Sequence, residues 1–323
     1  MVDGDNMRVF INPKSKNWIF TVCIGDGYSS DFMKYSLPGW MRYCERYNIG
    51  LAVFFDELIE KSSRFYKKSN WQRLLCPSII RETHPHVESV CYLDTDVLVS
   101  PAAPNIFDSH VEGKISVISE VANLPYSLDL AKRSMAFYRN KYYSEEYPLD
   151  SALFQTPQEI FDYHGFNLIG VDDYFCSGVF VLDVRTHAAK FNDWFFEHEK
   201  DIDSITGGGE EPFFNFHVQK DGHINIIDYR YQAIWTYEMA IKFPFLYELK
   251  EQKSSLVARC IKTSLHTNFF LHFAGSWFEG QMWKNEALSF SDDEISCMRE
   301  FNNYLLQDLL GKPVGLVRPT IRN

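Results

Sequence analysis

The chain opens with alternating apolar runs and amphipathic stretches. Trp18 to Ile24 (WIFTVCI) is a near-continuous run of aromatic and β-branched residues, which predicts a strand buried on both faces. GDGYSSD follows and reads as a polar turn. Ser36 to Tyr47 has helical spacing, with Pro38 tolerated in a first turn. Ile49 to Phe55 (IGLAVFF) predicts a second strand, Trp71 to Glu82 a helix bent near Pro77, and Ser89 to Leu93 (SVCYL) a third strand. The resulting β-α-β-α-β order implies a parallel sheet covered by helices.

Beyond residue 100 the pattern loosens. Lys114 to Ser119 predicts a strand, and residues 125–170, rich in Tyr, Phe and Pro, read partly as an inserted flap. Tyr174 to Val184 (YFCSGVFVLDV) is again a strong strand, and Thr186 to Lys200 an amphipathic helix. TGGG at 206–209 reads as a hinge before a helix in EEPFFNFHVQ. His223 to Tyr229 and Phe269 to Phe273 predict short strands. Ser291 to Leu310 predicts a C-terminal helix, with Ser291 as N-cap and acids in its first turn. No repeat or Pro/Gly/Ser-rich linker divides the 323 residues. A single α/β domain with a C-terminal helical extension is therefore expected.

Composition narrows the functional classes. A formal charge of −11 at pH 7 disfavours phosphate backbones and anionic lipid, so no nucleic-acid partner is expected. A bound cation reverses that sign locally. Aromatic residues make up 16 % of the chain, enough to thicken a core and also to line a site for sugars or bases. The seven cysteines, at 23, 44, 76, 91, 176, 260 and 297, are odd in number and include no CxxC pair. That argues against a disulfide framework or zinc knuckle and for a reducing compartment. MVDGDNMRVF lacks the features of a signal peptide, and no apolar run is long enough to span a membrane. A cytoplasmic protein is expected.

Three segments carry candidate chemistry. In CYLDTDVLVS (91–100), Asp94 and Asp96 stand at the end of a buried strand. In a parallel sheet, strand C-termini open into the ligand crevice. Two carboxylates there are costly unless a cation or donors offset them, and hard oxygen ligands suit Mg²⁺ or Mn²⁺. A plain turn, each Asp capping a backbone N–H, is the competing account. In LHFAGSW (271–277), His272 ends an apolar strand before a small-residue turn. It is either a cation ligand or a histidine satisfied in the core. In GGGEEPFFN (207–215), Glu210 and Glu211 follow a glycine turn. They can act as base, nucleophile or hydroxyl acceptor, or simply favour a helix N-terminus.

In this order the segments resemble the nucleotide-sugar glycosyltransferases of the GT-A fold, in particular glycosyltransferase family 8, over residues 18–280. The resemblance implies a Rossmann-like, mixed but mainly parallel sheet flanked by helices, occupying residues 1–285. Its donor half would cover about 15–120 and its acceptor half about 121–285, with 286–323 as a C-terminal helix and tail. FTVCIGDGY (20–28) matches the loop that holds uracil and ribose, which gives Cys23, Ile24, Asp26 and Tyr28 a nucleotide-binding role. Arg73, in NWQRLLCPSII, matches the basic residue before the Asp-x-Asp strand. YLDTDVLV makes Asp94 and Asp96 metal ligands and places Thr95 beside the donor. FCSGVFVLDV matches the strand facing the donor sugar and assigns Cys176 and Ser177 to it. GGEEPFFN places Glu210 and Glu211 beneath the anomeric carbon. HFAGSW makes His272 the third metal ligand and gives Gly275 a donor-binding role. The implied activity is metal-dependent transfer of a sugar from a UDP-sugar to a glycan or other hydroxyl acceptor; retention is expected, and inversion, with one carboxylate deprotonating the acceptor hydroxyl, stays open.

The chain departs from the family at three places. Cys176 replaces an Asn, Glu210-Glu211 an Asp-Gln pair, and no Lys follows closely after the histidine, where Lys284 is the substitute in reach. Two other readings compete. One is a haloacid-dehalogenase-like phosphatase using Asp94 and Asp96, although that motif belongs on a first strand. The other is an inactive carbohydrate-binding scaffold. A P-loop kinase is excluded, since GxxxxGK[ST] is absent. For the acceptor, Tyr138, Tyr142, Tyr143, Tyr147, Tyr231, Trp235 and Tyr237 are either sugar platforms or ordinary packing. The basic VGLVRPTIRN at the C-terminus reads as a frayed tail.

Overall fold

A computed structural model describes residues 7–143, 151–206, 209–249, 254–275 and 277–310. β1 (Met7–Ile11) and β2 (Asn17–Val22) lead into α1 (Asp26–Asp31), a π-helical turn at Phe32–Ser36 and α2 (Leu37–Tyr47). Next come β3 (Gly50–Phe54), α3 (Ser69–Gln72), α4 (Cys76–Thr83), β4 (Ser89–Leu93) and β5 (Val97–Val99). β6 (Ile115–Ser119), α5 (Leu128–Tyr142), α6 (Pro157–His164), β7 (Phe175–Asp183) and α7 (Val184–Glu197) form the middle of the chain. The last part holds α8 (Ile202–Ile205), α9 (Glu211–Asp221), β8 (Ile224–Ile226), β9 (Ala233–Ile234), α10 (Trp235–Lys242), α11 (Ser254–Thr267), β10 (Phe270–His272) and α12 (Asp292–Leu310).

Seven strands form one sheet in the order β1-β3-β2-β4-β7-β6-β8, and β5-β10-β9 form a smaller one. β3, β2 and β4 are mutually parallel, as the β-α-β-α-β reading requires. β1 runs antiparallel to β3, β7 antiparallel to both β4 and β6, and β8 parallel to β6. The protein is thus a mixed α/β fold whose parallel pairing is confined to β3-β2-β4, β6-β8 and, in the smaller sheet, β9-β10.

The unbroken apolar runs arise because both faces of the large sheet are covered. Trp18, Phe20, Val90 and Tyr92 pack against Trp71, Ile80, Phe191 and Phe213 on one side. Ile19, Leu51, Cys91 and Leu93 pack against Phe32, Trp40 and Tyr43 on the other. A third cluster joins the small sheet to α10, α11 and Met298 of α12. Among the described residues no helix is long and apolar enough to cross a membrane.

Several elements differ from the expectation. GDGYSSD is not a turn: α1 begins right after Gly25, whose φ of 105° suits glycine. The helix expected over 71–82 is split, and Pro77 does not bend it but occupies the first turn of α4, where its missing N–H is harmless. Residues 125–170 contain α5 and α6 in place of a flap among those described. Ser291 caps α12 as expected: its Oγ accepts from the Glu294 N–H at 3.2 Å, and the Glu294 carboxylate accepts from the Ser291 N–H at 2.7 Å. Gly207, Gly208, Tyr147, Ser276 and the basic tail lie outside the described residues.

Gly50 is a close-approach position, because a Cβ there would overlap the Trp18 indole on the neighbouring strand. Gly50→Ala is expected to cost ~1–3 kcal/mol through overpacking, read as a lower midpoint in urea unfolding at unchanged slope.

Candidate active site

The C-terminal ends of β4 and β10 meet at one cleft. Asn70, Arg73, Asp94, Thr95, Asp96, Cys176, Ser177, Glu210, Glu211, His272, Ala274 and Gly275 line it. Ten of the positions singled out in the sequence therefore converge here, from β4, β7, the start of α9 and the end of β10. Cys23, Ile24, Asp26 and Tyr28 do not line this cleft. They follow β2, the parallel neighbour of β4, and so stand at the same end of the sheet. Cys23 is buried and offers no side chain to a ligand, whereas Tyr28 is 69 % exposed.

Asp94 and Asp96 sit in the short connection that carries the chain from the large sheet to the small one. The Asp94 N–H donates to the Gly178 carbonyl (2.9 Å) and the Phe273 N–H to the Asp96 carbonyl (3.2 Å). The Ser36 hydroxyl braces the same turn through the Thr95 carbonyl at 2.7 Å. His272 enters from β10, which pairs antiparallel with β5 and sets His272 opposite Val97. Its Nε2 lies 3.5 Å from Asp94 Oδ2 and 3.4 Å from Asp96 Oδ1. The three donor atoms all fall within 4.8 Å of one another. Two carboxylates and an imidazole at that separation suit a divalent cation with open positions left for a ligand.

Arg73 organises the acids around this group. Its Nε donates to the Asn70 carbonyl (2.8 Å), and its Nη1 to Asp94 Oδ1 (3.2 Å) and the Ser177 carbonyl (2.9 Å). Nη2 donates to Glu210 Oε1. The guanidinium is buried and lies over the Tyr92 ring, 4.6 Å from its centroid. Burial opposes its charge, but Glu210, Tyr92 and Asp94 hold it cationic. As placed, its donors serve protein acceptors, so Arg73 positions Asp94 and Glu210. Removing it would leave a buried carboxylate unpaired, which typically costs ~3–5 kcal/mol.

Glu210 also accepts from Ser177 Oγ (2.7 Å) and Asn70 Nδ2 (2.7 Å), so both its oxygens are engaged. Burial pushes its pKa up against the pull of Arg73. Glu211, half-buried, accepts the Ser177 N–H at 3.3 Å. Burial, Glu120 and Glu210 raise its pKa from the usual carboxylate range to about 8. Glu211 therefore keeps its proton at neutral pH and can donate it while still accepting the Ser177 N–H. Cys176 stands with its Sγ 3.6 Å from His272 Nδ1 and its thiol pKa pushed well up by burial. The substitute suggested for the missing family lysine, Lys284, is paired elsewhere, with Asp31 at 2.6 Å.

Beyond Asn70, Tyr92 and Ala274, three further participants were not singled out in the sequence. Glu120, at the end of β6, brings its carboxylate to within 4.8 Å of Cys176 Sγ and the Glu211 carboxylate. Gln232 and Cys176 separate the cleft from a small cavity that Tyr126, Tyr229 and Tyr237 line together with Glu120. Gly178 is the third: a Cβ there would collide with the His272 ring, Asp94 Oδ2 and the Gln232 amide. The SGV segment contained that signal, since a glycine inside a buried strand marks a close approach. Glu120 and Gln232 lie in segments without distinctive spacing. Of the aromatic candidates, Tyr231 and Trp235 are core residues, Tyr138 stacks on Tyr142 and Tyr247, and Tyr143 stacks on Trp277.

No protein-family model matches the chain, and no curated protein sequence does. Two of the solved structures that resemble it are glycosyltransferases. A glycosyltransferase involved in the glycosylation of the major capsid of PBCV-1 aligns over 84 % of this chain and 99 % of its own, with 11 % identity and a TM-score of 0.43. The bifunctional glycosyltransferase WbbM aligns over 88 % of this chain, with 13 % identity and a TM-score of 0.43. The chain spans about half of WbbM, 52 % of its length.

If Asp94, Asp96 and His272 hold a cation, Gly178→Ala is expected to weaken Mn²⁺ binding by ~10-fold or more, because the added Cβ displaces the ligand geometry. Calorimetry with Mn²⁺ alone reads this, and unchanged affinity in a folded variant would remove Gly178 from the site. In chelator-treated protein, Glu211 is expected to make stability fall as pH rises from the usual carboxylate range to about 8. The unfolded state ionises there while the folded state holds the proton. Glu120 of β6, Cys176 of β7, Arg73 from the α3–α4 turn, Glu210 and His272 face or adjoin this group. The comparison is therefore the difference between wild type and Glu211→Gln, which should flatten the thermal-unfolding profile over that window.

Proposed function

We propose that this cleft binds a nucleoside-diphosphate sugar through a divalent cation and transfers the sugar to a hydroxyl acceptor. The protein is then a metal-dependent glycosyltransferase of GT-A type. The observation that carries the reading is the convergence of Asp94, Asp96 and His272 within 4.8 Å at the mouth of a parallel strand set. Asp94, Asp96 and His272 would hold Mn²⁺ or Mg²⁺, which when bound would supply Lewis-acid stabilisation of the charge on the leaving nucleotide.

The chain's own residues supply the rest. Arg73 fixes Asp94 and offsets its charge in a half-buried cleft. Glu210, held by Arg73, Ser177 and Asn70, places fixed negative charge where the anomeric centre becomes oxocarbenium-like. With both oxygens engaged it is not poised to attack. Glu211 carries a proton and offers it to a sugar hydroxyl or the departing phosphate. Neither acid is then a free base or nucleophile, which favours same-face attack by the acceptor and retention. Asp26 and exposed Tyr28, at the same sheet edge, are the base-binding candidates, with UDP the expected nucleotide and a glycan the expected acceptor. Thr95 and Gly275 present backbone to the diphosphate. The phosphatase reading would need Asp94 as nucleophile, yet its Oδ1 is already taken by Tyr92 Oη (2.5 Å) and Arg73.

Calorimetry of UDP and GDP, each with Mn²⁺ and with EDTA, tests the reading. The expected outcome is UDP binding that vanishes with EDTA. Asp96→Asn should weaken UDP–Mn²⁺ binding by ~100-fold or more and abolish UDP-sugar turnover while circular dichroism stays native. Equal nucleotide binding with and without chelator would overturn the cation-bridged site.

A further inference from the structure

We infer that Gln232 is the positioning residue that selects the metal-binding tautomer of His272. The inference rests on the cation reading of Asp94, Asp96 and His272 and extends it to a residue that is not itself one of the three ligands. Gln232 is 3 % exposed and ends a single helical turn, Tyr229–Gln232, whose start Asp228 caps through the Arg230 N–H at 2.9 Å. The next residues form β9, which runs parallel to β10 with Ala233 opposite Leu271 and Ile234 opposite His272. That register brings the Gln232 amide against the His272 ring.

The amide orientation follows from its neighbours. With the oxygen toward β7, Gln232 accepts from the Val179 N–H (3.1 Å), the Gly178 N–H (3.2 Å) and His272 Nδ1 (3.2 Å), and its amide nitrogen donates to the Cys176 carbonyl (3.1 Å). The reverse orientation would face oxygen to oxygen and nitrogen to N–H. Two backbone donors therefore anchor the oxygen, and an acceptor so anchored calls for a proton on Nδ1. Nε2 is left with its lone pair directed at Asp94 and Asp96, the arrangement a cation requires.

A bulge in β7 is what frees those donors. Ser119 stands opposite Phe175 and Val117 opposite Phe180, so β7 takes three extra residues against β6. Its Cys176–Val179 segment leaves the β6 ladder there and turns the Gly178 and Val179 N–H groups to Gln232. Gly178 completes the unit, since any side chain there would occupy the space of the His272 ring and the Gln232 amide.

The test uses the full chain in three forms: wild type, Gln232→Leu and Gln232→Glu. Long-range ¹H–¹⁵N spectra of ¹⁵N-histidine-labelled, metal-free protein at alkaline pH read the tautomer, with His272→Gln assigning the signal. Wild type should show protonated Nδ1, and Gln232→Leu should lose that preference. Calorimetric Mn²⁺ affinity should fall ~10–100-fold in Gln232→Leu, the usual effect of removing such a partner. Gln232→Glu keeps an acceptor for all three N–H groups, although its second oxygen loses the bond to the Cys176 carbonyl, and should keep protonated Nδ1 and bind Mn²⁺ more tightly than Gln232→Leu. A merely structural role would instead be disturbed by the carboxylate as much as by leucine. Protonated Nε2 in wild type, or a folded Gln232→Leu protein with wild-type affinity, overturns the assignment. If Gln232→Leu fails to fold, the wild-type and Gln232→Glu spectra decide it. If wild type binds no Mn²⁺, the cation reading fails, and the tautomer spectra alone decide the role of Gln232.

Discussion

Like charge is the constraint around which this cleft is built. Asp94, Asp96, Glu210, Glu211 and Glu120 converge on one partly dehydrated region of an already acidic protein. Charges brought this close repel strongly, and burial adds a desolvation cost of several kcal/mol per ion. Three devices offset it. Arg73 is buried among the acids and shares its donors between Asp94 and Glu210. Glu211 gives up its charge by keeping a proton. The remaining pair, Asp94 and Asp96, faces His272, where a cation would complete the balance.

The sheet makes this arrangement possible. Parallel β2 and β4 deliver their C-termini to one edge, and antiparallel β7 crosses the same place in the opposite direction. A strand buried on both faces would normally fill that space with side chains. Gly178 leaves it open, and the bulge beside it exposes backbone donors that a regular ladder would have consumed. Two departures from ideal strand geometry, a missing Cβ and an interrupted register, thus coincide at the site.

Much of this was legible in the residue pattern. The runs at Trp18, Ile49, Ser89 and Tyr174 announced their strands because burial on both faces leaves no polar alternation to misread. Asp94, Asp96 and His272 were legible because a charged or ionisable group at the end of such a run is anomalous in itself. The edge strand β1 was not legible, since MRVFI is short and its burial pattern is mixed, giving neither an unbroken apolar run nor a clean alternation. GDGYSSD misled because glycine and serine favour a turn locally, whereas tertiary packing of the following π-helical turn and α2 extends the helix backward. The small sheet was hidden by its brevity, with β9 only two residues long. Gln232 and Glu120 were hidden because nothing in their local sequence records what the fold brings beside them.

His272 belongs to the small sheet, whereas Asp94 and Asp96 end the last parallel strand of the large one, and more than half the chain separates Asp96 from His272. All seven cysteines are free. A cation seated between these residues would therefore do for the fold what a disulfide does in a secreted protein. It would close a very long loop and staple two sheets together with bonds that form and break reversibly. Ligand recognition and the mechanical joining of the two sheets would then be a single event.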